Sequence, residues 1–403
     1  MSAVWQLRRP AVVLALAAAL IDAWACYALA GLTGARNDLF PRWLATRLWL
    51  ASAQDLYSPA TDGAIRAAMG TPPLGGDHFV FGFVYPAYVA LLLAPLAVLP
   101  LRVAATAWLL LVQASVVGGT LLAWRAHERE RGLPPARPLA ALVTAVLLPA
   151  TTFNLIFLQF AAPVFFALAA SWWLLTRGHD RASGIALLPA LVKPPLAALP
   201  IFALFVHAAA AGRWRFLLSA TVAGTALFCA SLVVVPAWPV RFMRSTQAYA
   251  AATRPQSAAT LVASFGSTSS VIAALLLVCV AVFVLWAWWV SPRALGDGLA
   301  SASLLSLWLV PPLYEWNSVM LLLVLVPALR GLRVRGVAPP WLACGAAIAA
   351  SALTAWAYTR WPSESRVIWP LFALAIYVAG AARRVGIQSV TSSTPSPSLA
   401  VRV

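Results

Sequence analysis

Apolar runs long enough to cross a bilayer alternate with short arginine-bearing loops along most of this chain. A helix needs about 20 apolar residues to span a hydrocarbon core roughly 30 Å thick. The first such run, Ala11 to about Leu32, follows Arg8 and Arg9. It exceeds the roughly 7–15-residue apolar core of a signal peptide, so it reads as a retained first span with a cytoplasmic N-terminus. Residues 33–79 are too polar to cross and hold four of the eleven acidic residues, Asp38, Asp55, Asp62 and Asp77. They form a first extracytoplasmic loop. Within it Phe40, Trp43, Leu44 and Leu48 recur at helical spacing while Arg42 and Arg47 point elsewhere on the wheel. That pattern predicts an amphipathic helix lying at the membrane surface. Asp55-Leu-Tyr-Ser-Pro then predicts a turn, with a second short helix around Ile65.

The run from Val80 to Trp124 is long enough for two crossings, but two would leave Arg125-Ala-His-Glu-Arg-Glu-Arg outside. The positive-inside bias keeps that cluster in the cytoplasm. Tyr85–Pro100, interrupted by Pro86 and Pro95, therefore reads as a re-entrant or juxtamembrane segment, and Val103–Trp124 as the crossing. Downstream, spans are expected at 138–153 and 157–176, flanking an outer break from Thr151 to Gln159. Segments 182–192 and 195–210 are too short for ordinary spans and are joined by Lys193-Pro194-Pro195. Further spans are expected at 216–235, 270–290, 298–312, 317–329, 339–358 and 366–381, with an outer loop at 236–269. The expected architecture is all-α and polytopic, with about 11–12 membrane helices over residues 1–386 and a structured first loop. The Ser/Thr/Pro-rich residues 387–403 read as a disordered cytoplasmic tail.

Composition agrees with lipid as the surrounding solvent. Hydrophobic residues make up 62% and charged residues 10%, with a mean hydropathy of +0.86. Soluble domains carry roughly 25% charged residues. The net charge of 28 − 11 = +17 would suggest nucleic acid in a soluble protein. Here the arginines sit in loops between spans, where they set topology and meet anionic headgroups, so no nucleic-acid partner is expected. The four cysteines and four histidines are dispersed, without metal-ligand spacing, so no metal is expected. Walker A, strand-borne GxGxxG and DxD patterns are all missing.

Charge inside apolar sequence marks the candidate chemistry. Burying a lysine at mid-bilayer costs about 2.5–3.5 kcal/mol on insertion scales, so such a residue faces protein or water. Lys193 is the only lysine in the chain. It reads either as a side chain snorkelling to headgroups or as a cation held at a proline-rigidified break to meet a phosphate. Asp38 reads either as the N-cap of the loop helix or as a general base at the mouth of a cavity. Asp22, inside the first span, reads as a partner for a neighbouring helix or as part of a proton path. Glu315, in Pro311-Pro-Leu-Tyr-Glu-Trp-Asn317, is a further candidate at an outward turn. Most of the 19 tryptophans flank predicted spans as an aromatic belt, although Trp43, Trp49 and Trp316 are placed where they could stack on sugar rings.

Taken together, DLYSP, the FVYPAYVALLLAPLAVLP run, the break at Gln159, the LVKPPL lysine turn and PPLYEWNSVMLLLVLVP resemble glycosyltransferase family 87, over residues 10 to 330. The resemblance implies a GT-C-class enzyme of the cytoplasmic membrane, related to mannosyltransferases and facing outward. It implies a polyprenyl-phosphate sugar as donor, a lipid or glycan as acceptor, and no separate cofactor. Asp38 matches the loop aspartate taken as general base, and Lys193 the lysine near the donor phosphate. Gln159 matches the glutamine of the family's break, and Gln159, Tyr314, Glu315 and Asn317 are the candidates for sugar or acceptor binding. Leu158 and Ala161 stand where the family's Gly-Gln-x-Asn break has Gly and Asn. Pro311-Pro312-Leu313 and Trp316-Asn317 replace its later Ser-Pro-His and Tyr-Asp. The alternative is a secondary transporter or flippase, with Asp22 and Lys193 on an ion path.

Overall fold

The structure, a computed structural model, describes residues 2–70, 82–253, 294–309 and 315–334, with a few positions between 345 and 356. Tyr314, the expected spans at 270–290 and 366–381, most of that at 339–358, the far part of the outer loop and the tail lie outside them. The protein is an all-α polytopic membrane protein.

Helix α1 (Ser2–Thr33) is the first span, and α5 (Leu101–Glu130) and α11 (Trp214–Val234) are two more helices long and apolar enough to cross. The first loop carries α2 (Leu39–Ser52) and α3 (Pro59–Met69). Pro59 opens α3 and Ser58 caps it, its hydroxyl accepting from the Thr61 N–H. Helix α4 (Tyr88–Ala97) has ten residues, about 15 Å of rise, too short to cross, so a single crossing by α5 holds for this region.

The apolar face of α2 is buried on α4 rather than left for lipid. The reason lies at the C-terminus of α4. Leu96 would ordinarily accept from the residue four positions on, Pro100, which has no N–H, so the last turn tightens and the Leu99 N–H bonds the Leu96 oxygen at 3.1 Å. Trp43 Nε1 adds a second donor, at 3.1 Å from the Leu96 oxygen and 3.3 Å from that of Leu99. Arg47 Nη1 adds bonds to the Ala97 and Leu99 oxygens, a cation at the negative end of a helix. The expectation that Arg47 points elsewhere on the wheel is therefore corrected: seven residues after Phe40, it shares the packed face and reaches α4.

The expected span at 138–153 divides into α6 (Leu139–Leu147) and α7 (Pro149–Ile156), bent by 54°. Pro149 sits at the first position of α7, where its missing N–H costs nothing. Helix α8 (Ala161–Thr176) follows the break and runs along α5, with Gly119 admitting the Phe165 ring. A Cβ at Gly119 would fall 2.5 Å from that ring. Small residues of this kind let membrane helices approach closely. Helix α9 (Asp180–Ala186), a 3-10 turn (Leu188–Val192) and α10 (Pro194–Ala210) reproduce the two short segments on either side of Lys193. Helix α12 (Trp238–Thr253), α13 (Leu295–Leu309), a 3-10 turn (Glu315–Leu321) and α14 (Leu322–Val334) complete the described helices. Asp22 accepts a hydrogen bond from Gln113 of α5 at 3.1 Å, as its reading as a helix partner expects.

Candidate active site

The loop helix α2 begins at two adjacent residues able to cap it, Asn37 and Asp38. Asn37 takes the role: its Oδ1 accepts from the Phe40 N–H at 2.9 Å, and its Nδ2 donates to the Gly34 oxygen at 2.8 Å. Asp38 already has helical angles and makes no side-chain cap bond. Its carboxylate is thereby released for other work, which removes the capping reading. The Asp38 backbone N–H donates to the Phe157 oxygen at 2.9 Å, pinning the loop to the break between α7 and α8.

That break presents Gln159. Leu158 turns the chain with φ +50, the left-handed region, and its side chain is fully buried. A glycine, which the resemblance expects at this position, would adopt that angle without steric cost. Trp108 of α5 holds the turn, its Nε1 donating to the Leu158 and Gln159 oxygens at 3.0 and 3.3 Å. The Gln159 N–H donates to the Asn154 oxygen. With its backbone fixed, the buried amide of Gln159 reaches two charged groups. Its Nε2 donates to Asp38 Oδ2, and its Oε1 accepts from Lys193 Nζ at 3.4 Å. Only this orientation of the amide satisfies both, since a carboxylate accepts and an ammonium donates.

Lys193 stands at the head of α10, ahead of Pro194 and Pro195. The 3-10 turn before it is anchored by the Tyr88 hydroxyl, which donates to the Leu191 oxygen at 2.9 Å. Besides Gln159, Lys193 Nζ donates to Asn317 Oδ1 at 2.9 Å and lies 5.9 Å from the centre of the Trp316 ring. This placement sets aside the snorkelling reading: the ammonium is held by protein amides. Asn317 is buried on the 3-10 turn headed by Glu315, itself buried. Asn154 of α7 ties that turn down, its Nδ2 donating to the Trp316 oxygen at 2.8 Å while its Oδ1 accepts from the Ala162 N–H.

Of the expected site residues, the structure joins Asp38, Gln159, Lys193 and Asn317 into one hydrogen-bonded line. Glu315 is buried at the head of the turn that carries Asn317. Trp43 is consumed in capping α4, so its reading as a sugar platform does not hold, whereas Trp316 borders the line and packs 5.5 Å from Phe157. Sequence reasoning missed Asn154 and Arg42. The signal for Asn154 was an amide in an otherwise apolar stretch. That for Arg42 was its place one turn after Asp38, where its Nη1 donates to the Asp38 oxygen at 2.9 Å. Among the described residues no group of three His, Cys, Asp or Glu converges.

A carboxylate and an ammonium on either side of one fixed amide suit a reaction that takes a proton at one end and receives an anion at the other. The family model for glycosyltransferase family 87 matches residues 83–312, more than half of the chain, and takes in Gln159 and Lys193 while Asp38 precedes it. No curated protein and no solved structure matches. On that match the chain belongs to glycosyltransferase family 87, and is a membrane glycosyltransferase.

Proposed function

We propose that this glycosyltransferase moves a hexose or pentose, mannose-like in the first instance, from a polyprenyl-phosphate donor to a hydroxyl of a lipid or glycan acceptor. The site faces outward from the cytoplasmic membrane, in the manner of the GT-C class. Nucleotide sugars are not available on that side, which accords with the missing nucleotide motifs. Asp38 accepts the proton of the acceptor hydroxyl as its oxygen bonds to the anomeric carbon. The carbon–oxygen bond to phosphate breaks, and its electron pair leaves on the phosphate oxygen beside Lys193. One base and no covalent intermediate suffice for direct displacement, as in inverting glycoside hydrolysis. Gln159 is a positioning residue between the two, and Tyr314, Glu315 and Asn317 contribute to sugar or acceptor binding. Family membership favours transfer over transport.

The observation that carries this reading is the single amide of Gln159 shared by Asp38 and Lys193. A substituted base is the direct test. With purified protein and a polyprenyl-phosphate sugar, Asp38→Asn loses turnover by roughly 10²–10⁴-fold, the usual worth of a general base, while donor binding persists. Lys193→Ala instead weakens donor binding. Full turnover in Asp38→Asn overturns the assignment, and solute uptake into liposomes without any transfer overturns the enzyme reading.

A further inference from the structure

We propose that Asn154 is a positioning residue for the phosphate end of the site: it fixes the spacing of the two amides that hold Lys193, and through them sets the affinity for the leaving polyprenyl phosphate. This rests on the polyprenyl-phosphate reading above and adds to it a residue that acts only through others.

The Lys193 ammonium is held by acceptors from two distant stretches of chain, Gln159 Oε1 at 3.4 Å and Asn317 Oδ1 at 2.9 Å. An ammonium has three N–H groups, so two are taken by protein and one is left for a phosphate oxygen. Where that third N–H points depends on where the two amides stand. The lysine cannot decide it, because its four-carbon stem is flexible and follows the acceptors it meets. Neither amide decides it alone, since Gln159 belongs to the break between α7 and α8 and Asn317 to the 3-10 turn Glu315–Leu321.

Asn154 joins these two turns. Its main-chain oxygen accepts from the Gln159 N–H at 2.9 Å. Its Nδ2 donates at 2.8 Å to the Trp316 oxygen, the carbonyl of the peptide unit that leads into Asn317. The same nitrogen donates to the Ala150 oxygen at 2.7 Å, one turn back in α7, and Oδ1 accepts from the Ala162 N–H of α8 at 3.2 Å. Both N–H groups and the oxygen of this amide are engaged and the residue is fully buried, so it has one orientation. Chain continuity keeps Gln159 near Asn154 in any case. The bond to Trp316, across 162 residues of sequence, is the one that carries the spacing. It also places Asn317, which makes the shorter of the two bonds to Lys193.

A second link between the turns is apolar: the Phe157 ring lies 5.5 Å from that of Trp316 and stacks on Phe153 at 6.0 Å. Apolar contact is non-directional, so it keeps the turns together without fixing their register. Without the Asn154 amide the turns stay packed but can slide, and the lysine moves with them. The base end of the site does not pass through that amide. Asp38 is pinned by its own N–H to the Phe157 oxygen and bonded by Gln159 Nε2. Loss of the Asn154 amide is therefore felt in phosphate binding before it is felt in proton removal.

The experiment is a double-mutant cycle read by ligand binding. A short-chain polyprenyl monophosphate is titrated into purified full-length protein in detergent, for wild type, Asn154→Ala, Asn154→Leu, Asn317→Ala and Asn154→Ala with Asn317→Ala, beside kcat and KM for the sugar-charged donor. Asn154→Ala and Asn154→Leu are expected to weaken monophosphate binding by about tenfold, the order of one hydrogen bond to a charged group, and to raise the donor KM in step while kcat moves less. Leucine fills the volume that alanine empties, so equal binding by the two at different unfolding temperatures separates the amide from a packing defect. Because Asn154 acts through Asn317, the double variant is expected to bind no more weakly than the weaker single variant. Losses that multiply in the double variant, or wild-type affinity in both Asn154 variants, overturn the role of Asn154 alone. Failure of both Asn154 variants to fold overturns it too, since the residue would then hold the fold and not the lysine. A wild-type protein that binds no polyprenyl monophosphate overturns the donor reading and this inference with it.

Discussion

At the scale of single residues, the site is organised by who satisfies whom. Asn37 caps α2 and so frees Asp38, and Gln159 spends both ends of its amide on opposite charges. Remove that amide and the carboxylate and ammonium have nothing fixed between them, so their attraction draws them into an ion pair that uses up both. Gln159→Leu is therefore expected to cut kcat by roughly 10²-fold, the order of loss that follows a misplacement of about 1 Å, while the KM for donor changes less. Gln159→Glu is expected to fail as well, by pairing with Lys193 and repelling Asp38. Steady-state kinetics on both variants checks this, and unchanged kcat in Gln159→Leu would reduce the amide to a packing group. Asp38 itself shows why its role was ambiguous from sequence. Asn37 and Asp38 are adjacent and both cap helices well, and only the backbone angles at the start of α2 decide which of them does.

At the scale of elements, the lysine turn was fully legible, because Lys193-Pro-Pro between two short apolar runs can hardly be a continuous helix. The loop helix was legible as well, from the spacing of Phe40, Trp43, Leu44 and Leu48. Two things were not. A proline at the first position of a new helix reads like one inside a longer helix, so the division of 138–153 at Pro149 stayed hidden. A helical wheel gives direction relative to the helix's own axis only, so it could not say that Arg42 faces Tyr85 and Asp38. The break at Leu158 adds a test of local backbone. A non-glycine residue at φ +50 costs about 1–2 kcal/mol, while truncating a buried leucine costs about 2–5 kcal/mol. Leu158→Ala keeps the first cost and adds the second, whereas Leu158→Gly adds the second but relieves the first. The glycine variant is thus expected to unfold at the same temperature as the alanine variant or higher, the reverse of their usual order. Thermal unfolding of the two in detergent decides it, and a clearly less stable glycine variant would mean that the turn carries no strain.

At the scale of the whole molecule, α5 acts as a ruler. Trp108 near one end holds the Gln159 turn, and Glu128 near the other lies twenty residues on, about 30 Å along the helix and close to the thickness of a hydrocarbon core. Helix α8, 16 residues and about 24 Å long, runs between the same two ends, with Gln159 just before its start and the Thr176 oxygen at its end accepting from Arg129. Around Glu128 the arginine-rich loop has condensed into a buried knot. Its Oε1 accepts from Trp124 Nε1 at 2.9 Å, the Ala136 N–H at 2.8 Å and Arg330 Nε of α14 at 3.1 Å, while Oε2 accepts from Arg125. Glu128 and Arg330 are 4% and 3% exposed; without Glu128, Arg330 has no carboxylate partner among the described residues, and without Arg330, Glu128 keeps only the partly exposed Arg125 as a cationic partner. Removing one partner of such a pair costs about 3–5 kcal/mol, whereas replacing both by apolar groups costs far less. Arg330→Ala is accordingly expected to lower the unfolding temperature sharply, and Glu128→Leu with Arg330→Met to recover most of the loss. The folded fraction of each variant should bind polyprenyl monophosphate as the wild type does, because the knot and the site stand at opposite ends of the same two helices. Loss of binding at full foldedness in Arg330→Ala would show instead that the two ends are coupled along α5 and α8.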